Sequence, residues 1–103
     1  MTDYFMVFHG GGQPAPEDQE QAMKAWMDWY ASMGDAVVWE GGPAGMSKTV
    51  ASGGVTDDGG SNPTTGVSVV RADSIEAACE MAKGCPMVKD GSGSVEIAPM
   101  MAM

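Results

Sequence analysis

The stretch Ala72-Asp-Ser-Ile-Glu-Ala-Ala-Cys-Glu-Met-Ala-Lys-Gly-Cys-Pro-Met87, followed by Gly91-Ser-Gly-Ser-Val-Glu-Ile-Ala-Pro99, predicts a capped helix and then a closing strand. Asp73 or Ser74 is expected to cap the helix, with Glu76 placed to complete a capping box. Gly84 should end the helix, and Pro86 should prevent its continuation. Spacings of three and four residues predict a buried helical face made of Ile75, Ala78, Cys79 and Ala82. The closing strand is expected over residues 94–98.

The residues before this stretch predict three more strands and a first helix. Strands are expected at residues 4–9, 36–39 and 67–71, which are short apolar runs rich in β-branched and aromatic types. Gly10 to Gly12 should end the first strand, and Pro14 and Pro16 precede a helix that Gly34 caps. Its apolar stripe is Ala22, Met23, Trp26, Met27, Trp29, Tyr30 and Met33. Residues 41–45 predict a turn, residues 48–50 a brief extended piece, and residues 52–66 a long loop.

The predicted order of elements is strand, helix, strand, strand, helix, strand. This is the ferredoxin-like βαββαβ order of an α+β protein, in which an antiparallel sheet carries two helices on one face. We expect residues 1–103 to form one domain. The first strand has apolar residues on both sides, so the sheet face without helices also needs cover. Pairing of two such faces predicts a homodimer.

Composition excludes several classes of partner. The chain has five Lys and Arg residues against fourteen Asp and Glu, with a net charge of -9, which argues against binding to nucleic acid or an anionic membrane. No apolar run is long enough to span a membrane, and Asp3 stands where a secretory signal would be positive. Cys79 and Cys85 form neither a disulfide framework nor a metal motif. We therefore expect a soluble, cytoplasmic protein without a cofactor.

Several motifs together resemble the small YCII-related proteins, and the resemblance covers nearly the whole chain. They are Lys83-Gly-Cys-Pro86, Gly93-Ser-Val-Glu-Ile97, Phe8-His-Gly-Gly11, Trp26-x-x-Trp29 and Gly45-Met-Ser-Lys-Thr-Val50. Val55-Thr-Asp-Asp-Gly-Gly60 is similar to the Asp-Gly-Pro-Phe motif of the related branch, with Asp58 and Gly59 retained and Gly60 and Ser61 replacing the rest. The resemblance implies a dimeric α+β barrel built from two ferredoxin-like subunits.

The resemblance also bears on catalysis. Some members of that superfamily are thought to use a His-Asp pair in a cleft, and a few similar proteins act as small lyases or isomerases. Here the first helix has no histidine, and Cys85 stands where the family's aspartate is expected. The dyad is therefore not carried over, and we interpret Cys85 as structural because the end of a helix disfavours a thiolate.

His9 is the only histidine and lies between a buried strand and three glycines. It could act as a general acid or base, or it could bond a loop carbonyl. Asp57 and Asp58 are its candidate partners and could equally be solvated turn formers. One histidine and dispersed aspartates lack metal-ligand spacing, so no metal site is expected.

Four further residues are candidates for binding a small molecule. Lys48 could hold an anionic ligand with help from Ser47, or be an exposed hairpin lysine. Trp26 and Trp29 could wall a cleft for a flat organic ligand, or belong to the core. The leading hypothesis is a dimeric protein that binds a small organic ligand, including anionic ones, with lyase-like or isomerase-like proton transfer by His9. The alternative is a non-catalytic dimerisation or accessory module that binds a protein partner.

Overall fold

The computed structural model describes residues 1–11 and 15–101. In chain order the elements are β1 (Thr2–Gly10), α1 (Gln19–Met33), β2 (Val37–Pro43), β3 (Thr49–Ala51), β4 (Gly54–Thr56), β5 (Thr64–Ala72), α2 (Ile75–Ala82), α3 (Pro86–Lys89) and β6 (Gly93–Pro99). Single 3-10 turns, Pro16–Asp18 and Gly34–Ala36, flank α1. The roles expected of Gly12 and Pro14 fall outside the described residues. The α+β class is confirmed, with one additional hairpin and one additional short helix.

Four strands form an antiparallel sheet in the order β2-β5-β1-β6. The two longest strands, β1 and β5, lie at its centre, so each pairs on both sides. This order and the antiparallel pairing are those of a ferredoxin-like subunit. Strands β3 and β4, which come between β2 and β5 in the chain, form a separate two-stranded hairpin.

The core lies between one face of this sheet and the helices. From β1 it receives Tyr4, Met6 and Phe8, which alternate with residues that point to the other face. Buried residues of all three helices join them, which confirms that the helices lie on the same face. The core cluster is Tyr4, Met6, Phe8, Trp29, Val70, Ala72, Ala78, Ala82, Cys85 and Met87. We call this side of the sheet the covered face.

The start of α2 follows the sequence prediction in part. Ser74 is the N-cap, and its hydroxyl accepts a hydrogen bond from the backbone N–H of Ala77 at 3.1 Å. Glu76 is then only the second helical residue, one position too early for a capping box, so that detail of the prediction is wrong. The cap alone satisfies one of the free N–H groups of the first turn.

The buried stripe of α2 also differs from the prediction. Ala78 and Ala82 are buried as expected, whereas Cys79 is exposed and Ile75 is 39% exposed. Ala77 and Met81 pack against the core in their place. Both stripes have spacings of three and four residues, so periodicity alone does not decide which one faces the sheet.

The first helix has a narrower apolar face than predicted. Trp29 is buried, and Trp26, Tyr30 and Met33 pack against the core. The two methionines of the expected stripe, Met23 and Met27, are 66% and 64% exposed. They lie at the edge of the predicted stripe, where a helix that contacts its sheet along one line leaves side chains in solvent.

Pro86 does not simply stop the second helix. It is the first residue of α3, which Cys85 precedes as N-cap. The missing N–H of proline has no partner to lose at that position, so proline suits the start of a helix as well as the end of one. The short α3 then buries Met87 against the core.

Two predictions about the middle of the chain are corrected. The expected turn at residues 41–45 begins inside a strand, because β2 continues to Pro43 through irregular pairing with β5. Gly41 has φ +66°, and a side chain there would collide with the carbonyl of Val67. The expected loop at residues 52–66 contains all of β4 and the first residues of β5. Residues 54–56 have a composition typical of loops, so the sequence did not indicate that they form the second strand of a hairpin.

Candidate functional site

The other face of the sheet carries a row of apolar side chains that crosses all four strands. In this row Trp39 of β2 pairs with Val69 of β5, which pairs with Phe5 of β1, which in turn pairs with Ala98 of β6. Trp39 is 57% exposed and Phe5 is 41% exposed. We call these four residues the apolar row, and this side of the sheet the open face.

His9 lies at one end of the open face. It follows Phe5 by four positions along β1, and such residues point to the same side of a strand. Its side chain is only 11% exposed, and its Nε2 lies 2.9 Å from Oε1 of Glu96 in β6. Its Nδ1 lies 3.2 Å from the carbonyl oxygen of Pro63, the residue before β5. The imidazole therefore touches groups from both strands that flank β1.

These contacts favour the protonated form of His9. A carbonyl and a carboxylate both accept hydrogen bonds, so both ring nitrogens must carry a proton for the two bonds to form. The hydrogen bond to Glu96 raises the pKa of His9 above its ordinary 6.5, while burial acts in the opposite direction and the Pro63 carbonyl adds to the rise. The protonated form of His9 can thus be held by one carboxylate and one carbonyl at the same time.

The aspartates predicted as partners of His9 make other contacts. Asp57 accepts a hydrogen bond from Lys48 Nζ at 2.6 Å, and both side chains are exposed. Asp58 accepts one from the backbone N–H of Gly60 at 2.9 Å, which makes it a turn former. The expected pairing of His9 with either aspartate is therefore corrected, because the contact goes to Glu96.

Ser47 and Lys48 lie beside the hairpin of β3 and β4 rather than around a cleft. Lys48 precedes β3 and pairs with an aspartate that follows β4. The Ser47 hydroxyl is shielded from solvent and has no hydrogen-bond partner among residues 1–11 and 15–101. A side chain at Gly59 would collide with this hydroxyl and with Pro63. Ser47 thus packs on the loop whose carbonyl holds His9, and only in this indirect way is Ser47 linked to His9.

Trp26 and Trp29 lie on the covered face, opposite His9. Trp29 is buried and its Nε1–H donates to the carbonyl of Met81 at 2.9 Å. Trp26 packs edge-on against Phe8, with ring centroids 5.5 Å apart. Phe8 and His9 are consecutive residues of one strand, so their side chains point to opposite faces. The two tryptophans and His9 therefore do not line one cleft, and the indole N–H of Trp29 is already engaged.

A polar chain inside the covered face was not predicted. Tyr30 Oη lies 2.6 Å from Ser68 Oγ, and the fully buried Ser68 donates to the carbonyl of Glu40 at 2.6 Å. Burial raises the pKa of the Tyr30 phenol and of the neighbouring Cys85 thiol. A neutral, buried thiol is unreactive, which fits a structural role for Cys85. The one signal in the sequence was a serine inside the apolar run of β5.

Glu96 is the residue that the sequence analysis missed at the open face. It appeared only as part of the closing strand, 87 residues from His9. The ferredoxin-like order places the first and last strands side by side, so strand pairing would have brought residues 94–96 opposite residues 7–9. That register is the signal that could have found the pair.

Comparison with known proteins agrees with this architecture. The model of the YCII-related domain matches residues 5–101. The chain therefore belongs to the YCII-related family, as the motifs suggested. A comparison with curated proteins gives no match. Within residues 1–11 and 15–101, no helix is long and apolar enough to cross a membrane, and no three His, Cys, Asp or Glu residues are grouped to hold a metal ion.

Proposed function

We propose that this protein is a homodimer that binds a small organic molecule on the open face, beside His9 and Glu96. One observation carries the proposal: a histidine-carboxylate pair and the apolar row share a sheet face that the helices leave uncovered, with His9 four positions along β1 from Phe5 of the row. Titratable groups beside apolar surface are what a site for a small organic molecule requires.

The exposed apolar row supports the homodimer. Trp39 and Phe5 are large apolar side chains that share this uncovered face and are 57% and 41% exposed, so a partner that covers the face would bury both. Two sheets pack face to face at about 10 Å, a distance that buries such side chains. Pairing of two open faces would place His9 and Glu96 of each copy at the rim of the space between them. Both cysteines are unpaired, which supports a cytoplasmic location.

The pair suits a ligand with an apolar body and one anionic group. The body would pack at the rim of the paired faces, on the apolar side chains of the open face nearest His9, and the anionic group would replace Glu96 at Nε2 of His9. Glu96 is 66% exposed, so its carboxylate can turn into water without loss of solvation. Four of the five Lys and Arg residues already pair with acids: Lys24 with Asp28, Lys48 with Asp57, Arg71 with Asp3 and Lys83 with Glu80. His9 also pairs with an acid, but its side chain is 11% exposed against 51–75% for those four, so water screens its charge least. Ser47 and Lys48 are secondary candidates.

The same pair could transfer a proton in a lyase-like or isomerase-like step. In that reaction a neutral His9 would take a proton from the bound molecule at Nε2, and the imidazolium formed in this way would stabilise the anion that remains. A few proteins similar to this family act as small lyases or isomerases, but their His-Asp dyad is not carried over to this chain, so the proposed step rests on His9 and Glu96 alone. Trp26, Trp29, Asp57 and Asp58 have no part in the proposed site, because their contacts lie elsewhere.

One observation favours a second candidate function. Both ring nitrogens of His9 are already bonded, so no lone pair is free to act as a base in this conformation. A non-catalytic dimerisation module that binds a protein partner needs no free base. In that case the His9–Glu96 pair would be structural.

A thermal-shift screen of small carboxylates at pH 6 tests the proposed site. We expect at least one compound to raise the melting temperature of the wild-type protein. The His9→Gln variant should lose that shift, because glutamine carries no charge at this position. Glu80→Gln, which breaks an exposed ion pair on α2, serves as the control and should retain it. A shift that survives in His9→Gln would reject the site, and a dimer without any hit would favour the second function.

A further inference from the structure

We propose that His9 is a pH-operated clamp that fastens the start of β5 to β6 while it is protonated and releases Glu96 when it is neutral. The clamp concerns the regulation of the site proposed above. It depends only on contacts within one chain, so it requires neither the ligand nor the second copy. It assigns to a single titratable side chain the choice between a protonated state, in which Nε2 holds an anionic group, and a neutral state, in which Nε2 is free.

The number of available protons is the basis of the clamp. The imidazolium donates from Nδ1 to the Pro63 carbonyl at 3.2 Å and from Nε2 to Glu96 at 2.9 Å. A neutral imidazole has one N–H and one lone pair, so it can satisfy only one of these two acceptors. The other acceptor would then face a lone pair across a hydrogen-bond distance, which is repulsive. Loss of the proton must therefore break one contact.

Glu96 is the contact that should break. Its side chain is 66% exposed and has no second hydrogen-bond partner within the described part of the chain, so water can solvate it at once. The Pro63 carbonyl belongs to the backbone at the start of β5 and cannot turn away without moving the strand. The neutral form should therefore keep its proton on Nδ1 and expose the lone pair of Nε2. The same event frees a general base at the open face.

Few charged groups act on His9, so its titration should be simple. Glu96 is the charged side chain that faces it from β6, and the segment 62–64 presents only uncharged groups. The neighbours of His9 in β1 are also uncharged. At the opposite end of these strands, Arg71 pairs with Asp3. One carboxylate thus governs the protonation of the clamp.

The sign of the pH dependence follows from the raised pKa of His9. A group whose folded pKa exceeds its unfolded value stabilises the folded state most fully below the unfolded pKa, here about 6.5. That stabilisation is lost as the pH rises through the folded pKa. The clamp is therefore closed in mild acid and open above the folded pKa of His9.

The clamp holds a part of the fold where strand pairing is irregular. The pairing of β1 with β5 shifts between Phe8 and His9, and Thr64 Oγ1 donates to the Phe8 carbonyl at 3.2 Å next to this shift. The loop before β5 packs through Gly59 and Pro63 against Ser47. Release of the clamp should therefore loosen the loop at residues 57–63 more than the centre of the sheet.

NMR titration of ligand-free protein tests the clamp, because His9 is the only histidine and its ring signals need no assignment. We expect a pKa above 6.5 in the wild-type protein, with both ring nitrogens protonated below it. Glu96→Gln should lower this pKa because it removes the carboxylate. Glu80→Gln removes an equal charge from α2 and should leave the titration of His9 unchanged.

Hydrogen exchange gives a second measurement, because a contact with only a structural role would not make amide protection depend on the protonation of His9. After correction for intrinsic exchange, protection of the amides in residues 57–66 should fall as the pH passes the pKa of His9. His9→Gln should show no such step. A wild-type pKa at or below 6.5, a pKa unaffected by Glu96→Gln, or a step that persists in His9→Gln would overturn the clamp. If the variants do not fold, the wild-type titration and its ring-nitrogen shifts decide.

These results separate the clamp from the proposed function. If no compound raises the melting temperature but the pKa of His9 is raised and depends on Glu96, the proposed ligand is rejected and the clamp is supported. A thermal shift that depends on His9, found with an unshifted pKa, would do the reverse.

Discussion

The two faces of the sheet differ although the same strands build both. On the covered face, Met6 and Phe8 of β1 are almost fully buried beneath the helices. On the open face, Phe5 is 41% exposed, and His9, four positions further along β1, pairs with the carboxylate of Glu96. The covered face owes its stability to apolar packing, whereas the open face combines apolar surface with titratable groups. A step of one residue along β1 separates the two roles, because successive side chains point in opposite directions.

The largest expected effect comes from substituting the two phenylalanines, which lie on opposite faces of one strand. Phe8→Ala should lower the free energy of unfolding by about 3–5 kcal/mol, because it opens a cavity among packed aromatic rings. Phe5→Ala should lower it much less in the isolated chain. Urea denaturation at low protein concentration, followed by tryptophan fluorescence, measures both.

The stability losses of Phe8→Ala and Phe5→Ala show how tightly each face of the sheet is packed. Equal losses would mean that both faces are equally packed within one chain, contrary to the exposure of Phe5. A loss for Phe5→Ala that grows with protein concentration would show that a second copy covers the open face. Mass action links subunit association to apparent stability in this way.

A smaller effect is expected from the two tyrosines, which compare a bonded hydroxyl with an unbonded one. Tyr30→Phe removes the hydrogen bond to Ser68 and should cost about 1 kcal/mol of unfolding free energy. Tyr4→Phe is the matched control, because the Tyr4 hydroxyl makes no hydrogen bond to another residue of the described ranges, and it should change stability less. The same denaturation measurement applies. A larger loss at Tyr4 would show that the polar chain of the covered face adds no stability.

The sequence predicted much of the covered face and less of its detail. The short apolar run of β1 and the cap at Ser74 placed the strand and the second helix correctly. The rotation of α2 could not be predicted, since Cys79 and Ala77 fit the same spacing and only contact with the sheet decides between them. Gly-rich and Thr-rich residues concealed β4, because strand propensity depends on pairing partners more than on the residues themselves.

The candidate site was predicted only at His9. Its partner Glu96 is distant in the chain, and the nearby aspartates looked more suitable because they lie in a loop-like segment. Trp26 and Trp29 fitted a core, the commoner role of such a stripe, and also a cleft, because helical spacing excludes neither. The prediction of the site lacked the order of the strands in the sheet, which determines which residues of neighbouring strands lie side by side.

The most direct test of the account is the mass of the protein in solution, measured by size-exclusion chromatography with light scattering at micromolar concentration. We expect twice the 10.6 kDa mass of one chain. Trp39→Glu, which places a charge in the apolar row, should reduce this to the mass of one chain. Met27→Glu, at an exposed position of α1, should remain dimeric. A wild-type protein with the mass of a single chain would contradict the claim that a second copy covers the open face.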